Sequence, residues 1–429
     1  HKSWNHSPLS QNSGSAAPAS APKPLITEPL SDDKSLEAAI VANYTKYVYR
    51  IPMRDGKRLY TTVYVPKDRS RQYPMLMRRT PYSVKPYGVD SYPRANNPRS
   101  LRKVAPSLAA LRDGYIFVHQ DVRGRMMSEG EFVDVRPIQP GKVDESTDAY
   151  DTVEWLLKRV PSHNGRVGVW GISYPGFYAA QAAVNAHPAI KAVSPQAPVT
   201  DWFIGDDFHH NGAFFLADAF GFYSSFGKAR PKPTKKMTWG FDYNSGDIYE
   251  FFLKLGPISN ANTVHLEGKI PFWNDLMKHG TLDAFWKARN PRPHYKNAKP
   301  AILTVGGWFD AEDLFGALAT YQAFETQSPG ANNTLVMGPW AHGGWARGDG
   351  DRHGDVHVGQ KTSVFYQEKI ELPFFQKYLK GAALAPPPEA WIFEIGTNIW
   401  RRYDTWPPKN GRKKTYFFGP KGSLLTKAK

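Results

Sequence analysis

Six residues constrain this chain more than any others: Gly-Ile-Ser-Tyr-Pro-Gly at 171–176. They read as a sharp turn from a strand into a helix, with glycine on each side where a Cβ would crowd the backbone and Ser173 lifted clear of it. The flanks supply the context such a turn demands. Asn164-Gly165 is a turn pair that opens the apolar, β-prone run Arg166-Val167-Gly168-Val169-Trp170, and the Ala-rich stretch 177–184 favours helix. A serine exposed above a sheet edge is placed as a nucleophile, so acyl transfer is the leading chemistry. The competing reading is a Gly-rich β-turn with an idle serine, and the partners of Ser173 decide between them.

The rest of the chain reads as the sheet this turn needs. Residues 48–53 and 59–65 are β-rich runs joined by Arg54-Asp55-Gly56-Lys57, a strong hairpin signal. Strands at 75–79 and 115–120 alternate with helical stretches at about 104–113 and 145–159, which implies a mostly parallel sheet with helices on both faces. The helix at 145–159 has Asp144, Glu145 and Asp148 at its start and Lys158 and Arg159 at its end, matching the helix dipole. From 200 to 296 the alternation gives way to aromatic-rich, helix-leaning sequence, the mark of an inserted cap. Strands at 301–305 and 333–337 then complete the sheet around a helix at 313–322, and β-rich runs after Pro386-Pro387-Pro388 read as the opening of an all-β module. The expected organisation is therefore a flexible arm over 1–44, a sheet domain over 45–199 and 297–385, a helical cap over 200–296, and a partial β-module over 386–429.

Composition removes other classes. With no cysteine the chain has no disulfide, thiol nucleophile or Cys-ligated zinc, and no apolar run approaches the roughly 18 residues of a membrane span. The formal charge of +16 raises nucleic acid as a partner. Its 55 Lys and Arg are dispersed, however, and clusters such as 228–236 lack aromatic interleaving, so solvated loops explain them better. A small-molecule substrate is expected, with neither nucleic acid nor membrane as partner. The Ser/Ala/Pro-rich first 30 residues begin at His1 rather than Met, which fits an exported protein, periplasmic or secreted, whose signal peptide has been removed.

A serine hydroxyl needs a histidine to take its proton and a carboxylate to orient that histidine. In the order serine, acid, histidine, the candidates are Asp310 in Gly-Gly-Trp-Phe-Asp (306–310) and His342 in Gly-Pro-Trp-Ala-His (338–342), each just after a predicted strand, where α/β sheets place their chemistry. Asp310 could instead cap the following helix, and His342 could be an ordinary loop histidine. The backbone N–H of Tyr174 is one expected oxyanion donor, and the hydroxyl of Tyr82, in Arg-Thr-Pro-Tyr (79–82), is the candidate for the other. No metal or organic cofactor is required.

Together these segments, with Gln-Asp-Val-Arg-Gly-Arg (120–125) and Ser128-Glu129-Gly130, resemble the cocaine esterase and X-prolyl dipeptidyl peptidase superfamily, and within it most resemble the α-amino acid ester hydrolases. The resemblance implies an α/β-hydrolase fold with a helical cap and a C-terminal jelly-roll-like β domain, here partial. It implies the triad Ser173, Asp310 and His342, with Tyr82 in the oxyanion hole. It also implies a carboxylate cluster for a substrate α-ammonium, with Asp207, Glu312 and Asp313 at the three positions, and a homotetrameric assembly. On residue chemistry alone, Glu312 and Asp313 could merely decorate a helix N-terminus, and Asp206 and Asp207 could cap the next helix. The activity so implied is hydrolysis of α-amino acid esters and amides through an acyl-enzyme, with transfer to β-lactam amines. The alternatives are a cocaine-esterase-like carboxylesterase or X-prolyl dipeptidyl peptidase with the same triad, or a noncatalytic basic binding protein.

Overall fold

A computed structural model describes residues 23–97, 101, 103–237 and 239–427. The sheet strands are β1 (Tyr44–Pro52), β2 (Arg58–Pro66), β3 (Tyr73–Thr80), β4 (Ile116–Asp121), β5 (His163–Ile172), β6 (Ile190–Gln196), β7 (Ala301–Gly307), β8 (Asn333–Gly338), β9 (Ala390–Glu394) and β10 (Ile399–Tyr403). They form one sheet in the order β1-β2-β4-β3-β5-β6-β7-β8-β9-β10. From β4 to β9 every neighbouring pair is parallel, while β1, β2 and β10 add antiparallel edges. The hairpin over 44–66 and the alternation that follows are thus realised as the sequence predicts.

The principal helices are α1 (Asp33–Asn43), α2 (Leu108–Asp113), α3 (Glu145–Arg159), α4 (Tyr174–Gln181), α5 (Leu216–Phe226), α6 (Ile248–Leu255), α7 (Pro271–Lys278), α8 (Ala284–Arg289) and α9 (Leu314–Gln327), and further helical turns run from Thr362 to Lys380. Helix α3 has the bounds its charges predict because Asp144 caps it, accepting from the backbone N–H groups of Ser146 and Thr147. Helix α2 is shorter than the predicted 104–113, since Ser107 caps it at Ala110.

Two apolar layers cover the sheet. One gathers Met75, Val118, Val153, Leu156 and Val193, the other Leu76, Phe117, Leu303, Val336 and Phe375. A third, aromatic core built on Trp202, Phe208, Phe220, Tyr223, Phe226 and Trp273 belongs to the cap and reaches down to Tyr174 and Phe177 of the elbow helix. Its rings pack in tilted, edge-on and stacked pairs: Trp202 lies tilted on Phe208 at 4.9 Å and edge-on to Tyr223 at 6.4 Å, and Phe222 stacks on Phe226 at 4.4 Å.

Two expectations need correction. Residues 1–22 of the expected arm lie outside the described residues, but 33–43 form α1, with Leu36 and Ile40 buried in the main core together with Ile26. That half of the arm is part of the fold because those three side chains remove apolar surface from water. The strand at 390–394, read as the start of a separate β-module, instead pairs in parallel with β8 and carries β10 on its outer edge. Beyond it, a two-residue ladder, 417–418 with 424–425, stands apart from the sheet.

Candidate active site

Every candidate site residue follows the carboxyl end of a parallel strand, on five adjacent strands: Tyr82 after β3, Ser173 after β5, Asp207 after β6, Asp310 after β7 and His342 after β8. The elbow itself is strained. Ser173 has φ +70° and ψ −132°, a conformation costing about 1–3 kcal/mol for a non-glycine residue. Its N–H donates to the carbonyl of Gln196 at 2.9 Å, and its carbonyl accepts from Gly176 and Phe177, which locks the turn between β5, β6 and α4. Glycine is obligatory on both sides. A Cβ on Gly171 would lie 2.2 Å from the Pro175 carbonyl oxygen, and one on Gly176 would lie 2.5 Å from that of Gln196. The second glycine stands three residues after the serine, with Pro175 between, where a proline suits the first turn of α4.

Tyr174 opens α4, so its N–H is among the amides a helix leaves unpaired at its start. Its buried phenol accepts from Val135 N–H at 2.7 Å and reaches Asp134 at 3.4 Å, which holds the residue rigid. The Tyr82 phenol lies close enough to the Ser173 side chain to interact with it. Burial first, and then the charge of Asp207, push the Tyr82 phenol above its ordinary pKa, while the interaction with Ser173 opposes them. Tyr82 therefore keeps its phenolic proton at physiological pH, which the role of an oxyanion donor would need.

Strands β7 and β8 bring the acid and the base together by close backbone contact. A Cβ on Gly307 would meet the Trp340 carbonyl oxygen at 2.1 Å, and that oxygen accepts from Phe309 N–H. Asp310 then accepts from His342 Nδ1 at 3.0 and 3.1 Å. Its Oδ1 also accepts the N–H groups of Glu312 and Asp313, each at 2.9 Å, so Asp310 organises the start of α9 as well as orienting the base. Burial disfavours the Asp310 carboxylate, but its bond to His342, that residue's charge and the two amides outweigh burial and lower its pKa. The next residue, Gly343, lies against Ile172 of the elbow, where an added Cβ would find the Ile172 methyl at 3.5 Å. The opposite nitrogen, Nε2, is 3.4 Å from Glu312 Oε2, and among the described residues no hydrogen bond joins it to Ser173. Expected as a surface-loop histidine in the competing reading, His342 is instead largely buried among four carboxylates. Burial lowers its pKa, but the bond to Asp310 and the charges of Asp310, Glu312 and Asp207 raise it on balance.

The carboxylates converge around this pair. Asp207 has a left-handed φ of +44°, donates its N–H to the Glu312 carbonyl at 2.9 Å, and accepts from Trp202 Nε1 at 2.5 Å. Burial, then the charge of Glu312, push its carboxyl up to about 7. Asp313 is fully buried, and neither carboxyl oxygen has a hydrogen-bond partner. Burial and the charges of Asp207, Asp206, Asp310 and Glu312 raise its pKa well above the usual range. Glu312 is raised too, chiefly by desolvation. Glu312, Asp313 and His342 offer ligand-type atoms within 4.8 Å of one another. Nδ1 of His342 is already committed to Asp310 and Nε2 is the nitrogen a serine base needs, so we read the group as acids around a base.

Asp206 and Asp207 cap no helix, since the next element is a two-residue strand at 209–210. Asp206 is a buried strut. Its oxygens accept from Thr200 N–H and Oγ1, Asp201 N–H and Gly316 N–H at 2.7–2.8 Å, tying the cap loop to α9 so that Asp207 faces Glu312 and Asp313. Sequence reasoning missed this role, and also the Trp202 donor, because both depend on where α9 and the cap core lie.

The motif at 120–125 is explained residue by residue. Gln120 accepts from Arg79 Nε at 2.8 Å. Asp121 accepts from Val84 N–H and Tyr87 Oη in the Tyr82 loop. Arg123 pairs with Asp55 and Asp148, and Arg125 Nε donates to the Pro81 carbonyl.

Comparison with known proteins identifies the family. The family model described as X-Pro dipeptidyl-peptidase (S15 family) matches residues 55–344, which include Ser173, Asp310 and His342. A cocaine esterase of Rhodococcus sp. (strain MB1 Bresler) is 28% identical over 397 residues, covering 88% of this chain and 62% of that protein. Among solved structures, an aminopeptidase from the marine sediment archaeon Thaumarchaeota archaeon is 31% identical with a TM-score of 0.79, covering 98% of this chain and 66% of that one. An α-amino acid ester hydrolase labelled with selenomethionine is likewise 31% identical at TM-score 0.79, covering 95% and 66%. The chain thus spans slightly less than two thirds of the length of each of these relatives. The family match takes in most of the sheet and the whole cap, and the chain belongs to the X-Pro dipeptidyl-peptidase (S15) family.

Proposed function

We propose that this chain is a serine hydrolase acting on acyl groups that carry a free α-amine, with α-amino acid esters as its substrates. His342 Nε2 takes the proton of Ser173 Oγ as that oxygen attacks the acyl carbonyl, and Asp310 holds the imidazolium that forms. The oxyanion receives hydrogen bonds from Tyr82 Oη and Tyr174 N–H. When the tetrahedral intermediate collapses, His342 returns the proton to the departing alkoxide and an acyl-enzyme on Ser173 remains. Water, deprotonated by the same nitrogen, releases the acid; an amine such as a β-lactam nucleus would take the acyl group instead, giving synthesis.

The observation that carries the substrate class is Asp313, a buried carboxyl with no hydrogen-bond donor, facing Asp207 and Glu312. In its ionised form such a group is costly unless a cation neutralises it, and an α-ammonium held by the three acids would do so and displace the proton that the raised pKa otherwise retains. An N-terminal residue of a peptide carries the same ammonium, so the likeness to both an ester hydrolase and an aminopeptidase fits one recognition device with different leaving groups. The test compares phenylglycine methyl ester with its des-amino analogue. A clear preference for the amine-bearing ester is expected, and equal kcat/KM would overturn the ammonium reading. Failure of a fluorophosphonate to label Ser173 would overturn the serine hydrolase reading itself.

A further inference from the structure

Arg125 is 3% exposed and has no carboxylate within hydrogen-bonding distance. Its Nε donates to the Pro81 carbonyl and its Nη1 to the Phe226 carbonyl, both at 3.0 Å, while Nη2 has no hydrogen-bond partner. The guanidinium lies over two rings, 3.9 Å from the centroid of Phe226 and 4.8 Å from that of Phe132. Phe226 in turn packs edge-on against Tyr82, with centroids 5.7 Å apart. The turn that carries Arg125 is tight. Gly124 has φ +69°, and a Cβ there would lie 2.1 Å from Phe132 N, so only glycine lets Phe132 close over the guanidinium.

A buried cation with no anion in hydrogen-bond contact is expensive even with the charges of Asp134 and Asp121 acting on it through space, and filling its volume with an apolar side chain would generally stabilise a fold. Something must offset that cost. The Pro81 carbonyl belongs to the peptide unit that leads into Tyr82. The other end of that unit, Tyr82 N–H, donates to Thr80 Oγ1 at 3.1 Å. Both polar atoms of one peptide plane are therefore held, and the plane sets the direction of the Tyr82 Cα–Cβ bond. Phe226 is the last residue of α5, so the same guanidinium also ties the C-terminus of a cap helix, where a cation is favoured, to this loop.

We infer that Arg125 is a positioning residue that aims the Tyr82 phenol at Ser173 by fixing the Pro81-Tyr82 peptide plane against the end of the cap helix. The inference rests on Tyr82 serving as an oxyanion donor. Lysine is a poor substitute: an ammonium can bridge two carbonyls, as Lys46 does between Pro86 and Ser91, but it lacks the fixed planar fork that sets their relative direction and stacks on Phe226.

A double-mutant cycle tests it, with R125M, R125K, Y82F and the two combinations assayed on one amino ester for kcat and KM separately, alongside melting temperatures. Removing an oxyanion donor costs about 100- to 1,000-fold in kcat, and Y82F is expected to fall in that range. R125M and R125K are expected to lower kcat by about 10- to 100-fold with KM changed by less than about 3-fold, since misaiming a donor forfeits most of its benefit. In the Y82F background the same changes should cost less than about 2-fold, because there is no phenol left to aim. An equal loss in both backgrounds, or wild-type kcat in R125M, overturns the positioning role. Wild-type kcat in Y82F overturns the oxyanion reading beneath it, whatever Arg125 does. If the Arg125 variants fail to fold, Thr80→Val removes the other anchor of the same plane and must show the same dependence on Tyr82; independence there overturns the inference.

Discussion

His342 meets a carboxylate at each ring nitrogen: Asp310 on Nδ1 at 3.0 Å and Glu312 on Nε2 at 3.4 Å. Only the imidazolium can donate from both nitrogens, so this arrangement favours the charged ring and turns Nε2 toward Glu312. The His342 imidazolium thus persists to a higher pH than that of an ordinary histidine, and in the proposed mechanism that form cannot take the Ser173 proton. Catalytic hydrogen bonds often tighten only when substrate binds, and a cation drawn to Glu312 would release Nε2 for Ser173.

The pH profile should show it. With its pKa raised, His342 loses its proton only above the ordinary value near 6.5, so the acidic limb of kcat/KM is expected above about pH 6.5. Glu312→Gln removes one of the raising charges and should move that limb down by about 0.5 pH units, a shift scaled to a half-exposed ion pair. A limb that stays in place in the variant would mean that Glu312 does not act on the base.

The buried acids make folding depend on pH in a defined direction. Asp206 and Asp207 are each pushed up to about 7, and Asp313 is raised well above its ordinary value. Between about pH 4 and pH 7 the native state therefore binds more protons than the unfolded chain, and stability falls as pH rises through that window. Asp313→Asn takes one of these groups away. Its melting temperature should drop less than wild type between pH 5 and pH 8, by about 2 °C or more, and parallel curves would contradict the assignment.

Among the described residues, Trp202 alone hydrogen-bonds the Asp207 carboxyl, at 2.5 Å, and that bond favours the charged form. Trp202→Phe should raise the pKa of Asp207 further and leave it protonated at pH 7. A bond to a charged group is worth about 1.5–3 kcal/mol, so KM for an amino ester should rise about 10-fold or more at pH 7, with a neutral ester unaffected. The loss should shrink at pH 9; an equal loss for both esters would point to damage in the cap core instead.

Gly176→Ala should collapse the elbow, since the new methyl would sit 2.5 Å from the Gln196 carbonyl oxygen and 3.0 Å from Pro198 Cα, both backbone atoms. We expect a stability loss of about 1–3 kcal/mol and loss of Ser173 labelling. Gly246→Ala is the control, with no atom within 4 Å and an expected change within about 0.5 kcal/mol.

Much of the architecture was legible because it is written in short-range pattern. The Asp-Gly hairpin, the caps and charges of α3, the Gly-rich elbow, and the loops after β7 and β8 each depend on residues within a few positions of one another. The order serine, acid, histidine then follows from strand order, since residues after adjacent parallel strands must meet at one edge. What local pattern could not decide is which neighbours a side chain finds across the fold. Of two consecutive aspartates, Asp206 turns inward to Gly316 N–H and Asp207 toward Glu312, a division set by the packing of α9 against the cap loop 110 positions away. Strand 390–394 joins the main sheet because β8 presents an open edge, and Arg125 finds Phe226 because α5 ends beside the Tyr82 loop. Secondary structure and the identity of the nucleophile come from interactions a few residues long. The charge state of the pocket and the aim of its donors come from burial and long-range contact, which only the folded chain creates.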